Sequence, residues 1–187
     1  MPIYQNSTVD QDKLIIGNYT VEVAASAAAT FVNVGAGILN SFNHNTTPYD
    51  AQAGNAPDPI EGIANEVCVA DMEMIEYDSS VISIIQGGLI ASSTSSSVET
   101  IHAGGYADTT ITPKAWRLTN TRTISGATIQ SIITVYYATP DAGPQWSFKS
   151  DNDTDPVAVM PLSITGKLET SRAPGDQLYK KTRTVVP

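Results

Sequence analysis

The stretch Glu66–Tyr77, EVCVADMEMIEY, alternates between two kinds of residue. Cys68, Ala70, Met72 and Met74 fall on one side of an extended chain, and Val67, Val69, Asp71 and Glu73 fall on the other. Successive side chains of a strand point to opposite faces, so an apolar set at period two specifies a strand with one face on a core. Two later stretches repeat the pattern. In Ala127–Ala138 (ATIQSIITVYYA), Ile129, Ile133, Val135 and Tyr137 share a face; in Pro156–Lys167 (PVAVMPLSITGK), Ala158, Met160, Leu162 and Ile164 do so. Pro161 has no N–H to give to a ladder, which puts it at an edge or a bulge.

Shorter β-branched runs surround these. Lys13–Ile16 and Tyr19–Ala24 flank Gly17-Asn18, a pair that accepts the positive φ of hairpin turns. Thr30–Val34, residues 36–47 and Trp116–Thr119 also read as extended. Pro48–Gly62 collects Gly54, Pro57, Pro59 and Gly62 beside Asp50, Asp58 and Glu61. This composition predicts an exposed loop of about fifteen residues, long enough to carry a function. One helix is expected over Ser79–Gln86: Asp78 caps it, Val81, Ile82, Ile84 and Ile85 form its buried stripe, and Gly87-Gly88 ends it. Ala91–Thr100 (ASSTSSSVET) reads as a mobile excursion within a Ser/Gly-rich segment, 91–109. Many short strands with one short helix predict a mainly β chain, a sandwich or barrel forming a single domain over 1–187.

Of the 187 residues, 41% are hydrophobic and 16% charged, enough to bury an ordinary core under a Ser- and Thr-rich surface. No run approaches the roughly 18 apolar residues of a membrane helix, and no membrane partner is expected. MPIYQNSTVD lacks the basic segment and apolar core of a signal peptide, so none is expected. The N-x-S/T sequons at Asn6, Asn18, Asn45 and Asn152 then carry no meaning. A single cysteine, Cys68, excludes an internal disulfide and fits a small buried hydrophobe between Val67 and Val69. The net charge of −9 is unevenly spread. Residues 1–113 hold thirteen acidic side chains against Lys13, whereas residues 114–187 hold nine basic and six acidic ones. Such a division suits head-to-tail contact between copies as well as it suits solubility. The acidic balance opposes stable nucleic-acid binding, which depends on neutralising phosphates.

The motifs that would carry chemistry fail on inspection. Val34-Gly35-Ala36-Gly37 imitates a dinucleotide loop, but Asn40 stands at the third glycine and no helical pattern follows; a glycine turn is expected instead. Asp151–Asp155 opens like a calcium loop, yet Pro156 and Leu162 occupy the glycine and bidentate glutamate positions, which leaves an acidic turn. The two histidines, His44 and His102, fall in expected loops, and G-x-S-x-G is absent. Asp71 and Glu73 share a strand face, where like charges repel and a hydrated surface is the simpler reading. No cofactor, metal or catalytic residue is expected, and the chain reads as a non-enzyme.

Element order gives a resemblance. Gly35–Glu76 is similar to the long hairpin of the tail tube proteins of long, non-contractile-tailed bacteriophages: a strand, an acidic Gly/Pro loop and a returning strand. EYDSSVISIIQGG falls where that family has its flanking helix, and TPKAWRLTN (112–120) resembles the strand after its variable insertion. PVAVMPLSITGKLETSRAPGDQLYK resembles its closing strand and C-terminal arm, here about 170–187. The Ser-rich 91–109 segment departs from the family pattern. The resemblance implies a virion protein whose hexameric rings stack head to tail into a hollow tube. DNA would pass through without sequence-specific binding. Assembly would take place in the host cytoplasm, with tape measure, tail terminator and distal tail proteins as partners. It implies inter-ring contacts for Asp50, Asp58 and Glu61 on the loop and for Arg172, Lys180, Lys181 and Arg183 on the arm. Asp71 and Glu73 would line the lumen. A capsid decoration protein or an adhesin-type β-sandwich binding module is the alternative, though Trp116 and Trp146 are too scattered for a sugar-stacking cluster.

Overall fold

Alternation in the sequence becomes the wall of a closed sheet. A computed structural model describes residues 18–51, 60–77, 90–95, 98–103, 111–124, 126–141 and 159–186. The strands are β1 (Asn18–Ala24), β2 (Val32–Ala51), β3 (Ile60–Tyr77), β4 (Ile90–Ser95), β5 (Val98–Ala103), β6 (Lys114–Ile124), β7 (Ala127–Pro140), β8 (Met160–Lys167) and β9 (Tyr179–Val186). Seven of them form one antiparallel sheet in the order β6-β1-β2-β3-β8-β7-β9, and β6 also pairs with β7. The additional pairing returns the sheet to its start. Six strands, β6-β1-β2-β3-β8-β7, therefore close a barrel, and β9 lies on part of β7 outside that ring.

Closure depends on a short contact. β7 gives Thr128–Val135 of one edge to β9 and only Ala138–Pro140 to β8. At that seam Gly166 faces Ala138 on β7 and Cys68 on β3. A Cβ on Gly166 would lie 2.5 Å from both Cys68 Sγ and Val135 Cγ1, so a side chain there would force the strands apart. The barrel is filled by the apolar stripes: Cys68, Ala70, Met72 and Met74 from β3; Met160, Leu162 and Ile164 from β8; Trp116 and Leu118 from β6. Burying each large side chain contributes about 1.5–3 kcal/mol.

A bulge alters the expected face of β7. Lys114 pairs with Ala138 but Trp116 with Val135, so β7 carries one extra residue against β6. The extra residue reverses the alternation. Tyr136 and Ala138 turn inward after Val135, and Tyr137, expected in the core, is 41% exposed. Pro161 meets its expectation: β8 is paired on its β7 side only from Ile164 to Gly166, so Pro161 needs no ladder bond there.

Other expectations change. Pro48–Ala51 and Ile60–Gly62 are not loop but the far end of the β2–β3 hairpin, and only 52–59 lies outside the described residues. Gly35 and Gly37 stand within β2, not in a turn; Gly35 takes φ 137° at a bulge opposite Val21 and Glu22. The Ser-rich stretch contains the β4–β5 hairpin, since Ser and Thr tolerate extended backbone. Both histidines lie in strands: His44 in β2, as the extended reading of 36–47 has it, and His102 in β5, where a loop is expected. Residues 179–186 return along β7 and do not reach away as an arm. The expected helix at 79–86, the strand at 13–16 and the acidic turn at 151–155 lie outside the described residues.

Candidate assembly surfaces

The β2–β3 hairpin outruns the barrel that supports it. β1 covers the outer edge of β2 only from Val32 to Ile38, and β8 covers β3 only down to Val67. Among the described residues, Leu39–Ala51 therefore pair with β3 alone and Ile60–Glu66 with β2 alone, so Thr46–Ala51 and Ile60–Glu66 have each other and no further strand. From Asn45, opposite Val67, to Ala51 the ribbon runs about 20 Å at ~3.4 Å per residue. Asn43–Pro48 are exposed throughout, and Ile63 is 55% exposed. A two-stranded ribbon is marginal in water by itself, and its unpaired N–H and C=O groups invite another strand. Asp50 and Glu61 are register partners near its tip, and Asp58 lies outside the described residues.

Asp71 and Glu73 sit where period two places them, on the face away from the barrel core, in a hydroxyl- and amide-rich stripe. Ser41, Asp71 and Ser163 are register neighbours across β2, β3 and β8. Ser41 Oγ donates to Asp71 Oδ2 at 2.7 Å, and Asn43 donates to Ser41 Oγ at 3.2 Å. Ser163 Oγ lies 2.8 Å from Asp71 Oδ1 and 2.9 Å from Asp141 Oδ2; its single hydrogen serves one carboxylate at a time. Thr165 donates to Asp141 at 2.8 Å, and Asn40 to Glu73 at 3.4 Å. The result is a half-buried acidic stripe whose carboxylates accept from neighbouring hydroxyls and an amide. No group of three or more His, Cys, Asp or Glu suited to a metal ion occurs among the described residues.

The basic residues at the end of the chain divide into two groups. Arg172 is engaged within its own loop. Its Nη2 contacts Asp176 Oδ2 at 2.5 Å, its Nε donates to the Asp176 carbonyl at 2.8 Å, and its guanidinium lies 3.7 Å from the centroid of the Tyr136 ring. Tyr136 OH donates to Asp176 Oδ1 at 2.6 Å. The hydrogen bonds from Tyr136 and Arg172 lower the Asp176 pKa. Burial, then the bond to Asp176, pushes Tyr136 up to about 12. This clamp leads the chain into β9. Leu178 is buried there, and the Tyr179 ring stands edge-on to Phe42 at 4.9 Å and His44 at 5.7 Å, beside the base of the ribbon. Lys180, Lys181 and Arg183 are exposed on β9. A second ion pair, Glu22–Arg117, joins β1 to β6.

Residues the sequence did not single out complete these surfaces. Ser41, Asp141, Ser163 and Thr165 join Asp71 only through strand register, which a linear pattern does not contain. Strict alternation puts Tyr136 on the face opposite Tyr137, and its inward aim depends on the bulge.

No family model matches the chain. No curated protein matches it. Among the solved structures that it matches is the cryo-EM structure of the anti-feeding prophage cap, a tube terminating cap, at 11% identity with a TM-score of 0.39, covering 100% of both chains. An overlap of that extent carries no argument about fold or function.

Proposed function

We propose that this chain is a structural tail protein of a phage-like particle, whose copies close into hexameric rings that stack head to tail into a hollow tube for DNA. The supporting observation is the β2–β3 ribbon, which leaves the barrel with both edges uncovered. A further copy offers the strands that would cover those edges. Pairing that closes around an axis makes a ring, and pairing that repeats along it makes a filament. The stripe of Asp71 and Glu73 would face the lumen, where a hydrated negative wall keeps phosphates sliding. Asp50, Asp58 and Glu61 at the ribbon end, and Lys180, Lys181 and Arg183 on β9, would meet between rings; Arg172 would act indirectly, by holding the loop before β9. Such a protein needs no catalysis, cofactor or membrane. Its partners would be other copies of itself and the tape measure, terminator and distal tail proteins, with assembly in the host cytoplasm and residence in the virion tail.

Purified protein at high concentration, imaged by negative-stain electron microscopy with sedimentation alongside, tests the reading. Hollow tubes or six-membered rings are expected. A discrete trimer at every concentration would overturn it in favour of a capsid decoration protein.

A further inference from the structure

Alternation along β3 singles out Asp71 and Glu73, but the row that Asp71 begins ends on a residue beyond β7. Asp141 follows the last residue of that strand, and its N–H donates to the Ser163 carbonyl at 2.9 Å. Its Oδ2 accepts from Thr165 at 2.8 Å and lies 2.9 Å from Ser163 Oγ, which stands 2.8 Å from Asp71 Oδ1. One hydroxyl therefore links the two carboxylates, and the row across the wall runs Ser41, Asp71, Ser163, Asp141. Its members differ in their access to water. Asp71 and Glu73 are half-buried, and Asp71 has a hydroxyl against each oxygen; Asp141 is exposed. A carboxylate held by fixed donors presents its charge in one place, and an exposed one acts on a passing charge with no protein between.

We propose that Asp141 is the principal charge with which this wall meets a passing polyanion, and that Thr165 and Ser163 are the residues that position it. The inference rests on the reading of this wall as the lumen. In a ring every subunit repeats the row, so the Asp141 carboxylates form a circle of like charge, which turns phosphates away from the wall without holding them. Asp71 and Glu73 then stand behind that circle, half-buried, and contribute less. No pattern in the sequence marks Asp141. It belongs to no strand, and only its bonds to Ser163 and Thr165 of β8 bring it into the row.

A thiol on the same wall tests it. Thr139 is the register partner of Thr165, and Thr139→Cys puts a thiol about 7 Å along the chain from Asp141. Cys68 is buried, with its thiol pushed up to about 11 by burial, so it does not compete. In assembled tubes the thiol is reacted with a small anionic and a small cationic methanethiosulfonate, and the two rates are compared. Lys167 lines the same hollow as Thr139 but is unchanged in every variant, so it cancels from the comparison. Asp141→Asn should speed the anionic reagent and slow the cationic one, about threefold each. Asp71→Asn should change both rates less. Thr165→Val should shift the ratio in the parent background and leave it unmoved once Asp141→Asn is present, which a merely structural role would not do. A maleimide on a protein-sized carrier should label dispersed subunits and not tubes. Tubes in which Asp141→Asn leaves the ratio unchanged, or in which Asp71→Asn shifts it more, would overturn the assignment to Asp141 and leave the tube standing. Tubes labelled by the bulky reagent would put this wall outside and overturn the lumen reading along with the assignment. A parent protein that forms no tube would overturn the tube reading itself, and this inference with it.

Discussion

Glu22 on β1 and Arg117 on β6 are register partners joined by two hydrogen bonds, Nε to Oε2 at 2.6 Å and Nη2 to Oε1 at 2.7 Å. Arg117 also stacks 4.2 Å from the centroid of the Phe31 ring, and its bond to Glu22 raises its pKa. The acidic first part of the chain and the basic last part therefore meet inside one subunit as well as in any contact between subunits. The pair is partly open to water, so its strength is discounted for screening. A double-mutant cycle with Glu22→Gln and Arg117→Met should give a coupling of about 0.5–1 kcal/mol, smaller in high salt. A coupling indistinguishable from zero at low salt would remove this pair from the account of the β1–β6 seam.

Gly166 should be the least replaceable position in the barrel wall. Gly166→Ala brings a methyl group against Cys68 Sγ and Val135 Cγ1 at the three-residue closure of β7 on β8. Overpacking of that kind costs about 2–3 kcal/mol, a Tm fall of roughly 5–10 °C. Cys68→Ala in the same chain should recover part of the loss, because it removes one of the two clashing atoms. Thermal melts of the single and double variants would check the coupling; strict additivity would contradict it.

The Asp176 clamp predicts an acid response. Its carboxyl is lowered from the ordinary 3.8 by hydrogen bonds from Tyr136 and Arg172, so its contribution is complete above 3.8 and is lost as pH falls through the lower folded value. The Tyr136 phenol, raised to about 12, gives the opposite sign: its contribution is complete below 10 and is lost as pH rises from there to about 12. Melts from pH 7 down to 2, with Asp176→Asn as the reference, should show a steeper acid loss in the parent chain. Parallel curves would show that the clamp adds nothing.

Removing residues 174–187 should cost stability directly. Sequence alone makes this segment an arm whose loss weakens stacking more than folding, yet it carries buried Leu178, the Tyr179 ring against Phe42 and the eight ladder partners of β7. Loss of Leu178 packing by itself costs about 2–5 kcal/mol. Calorimetry of the truncated chain should show a clear fall in Tm; an unchanged Tm would mean that β9 is an accessory strand.

The barrel was legible where one face of a strand is buried. Cys68, Ala70, Met72 and Met74, and Met160, Leu162 and Ile164, alternate because each wall strand has a filled interior on one side. The pattern fails where another constraint replaces burial. At Tyr136-Tyr137 a bulge shifts the register, and no periodicity announces it. In the ribbon Asn43–Pro48 has no buried face to write into the sequence, so strand and loop look alike. β9 reads as a basic tail because Lys180, Lys181 and Arg183 are exposed while its backbone does the pairing. Asp71 was legible as a polar strand residue, but its meeting with Ser41 and Ser163 is a property of register between strands far apart in sequence.

The central claim is that another copy of the chain covers the open edges of the β2–β3 ribbon. Amide hydrogen exchange, followed peptide by peptide over 39–51 in dispersed and in assembled protein, measures this directly. The account predicts fast exchange in the dispersed chain and strong protection on assembly, with the barrel amides of 67–74 protected in both states. Assemblies in which 39–51 still exchanges as fast as in the dispersed protein would contradict it.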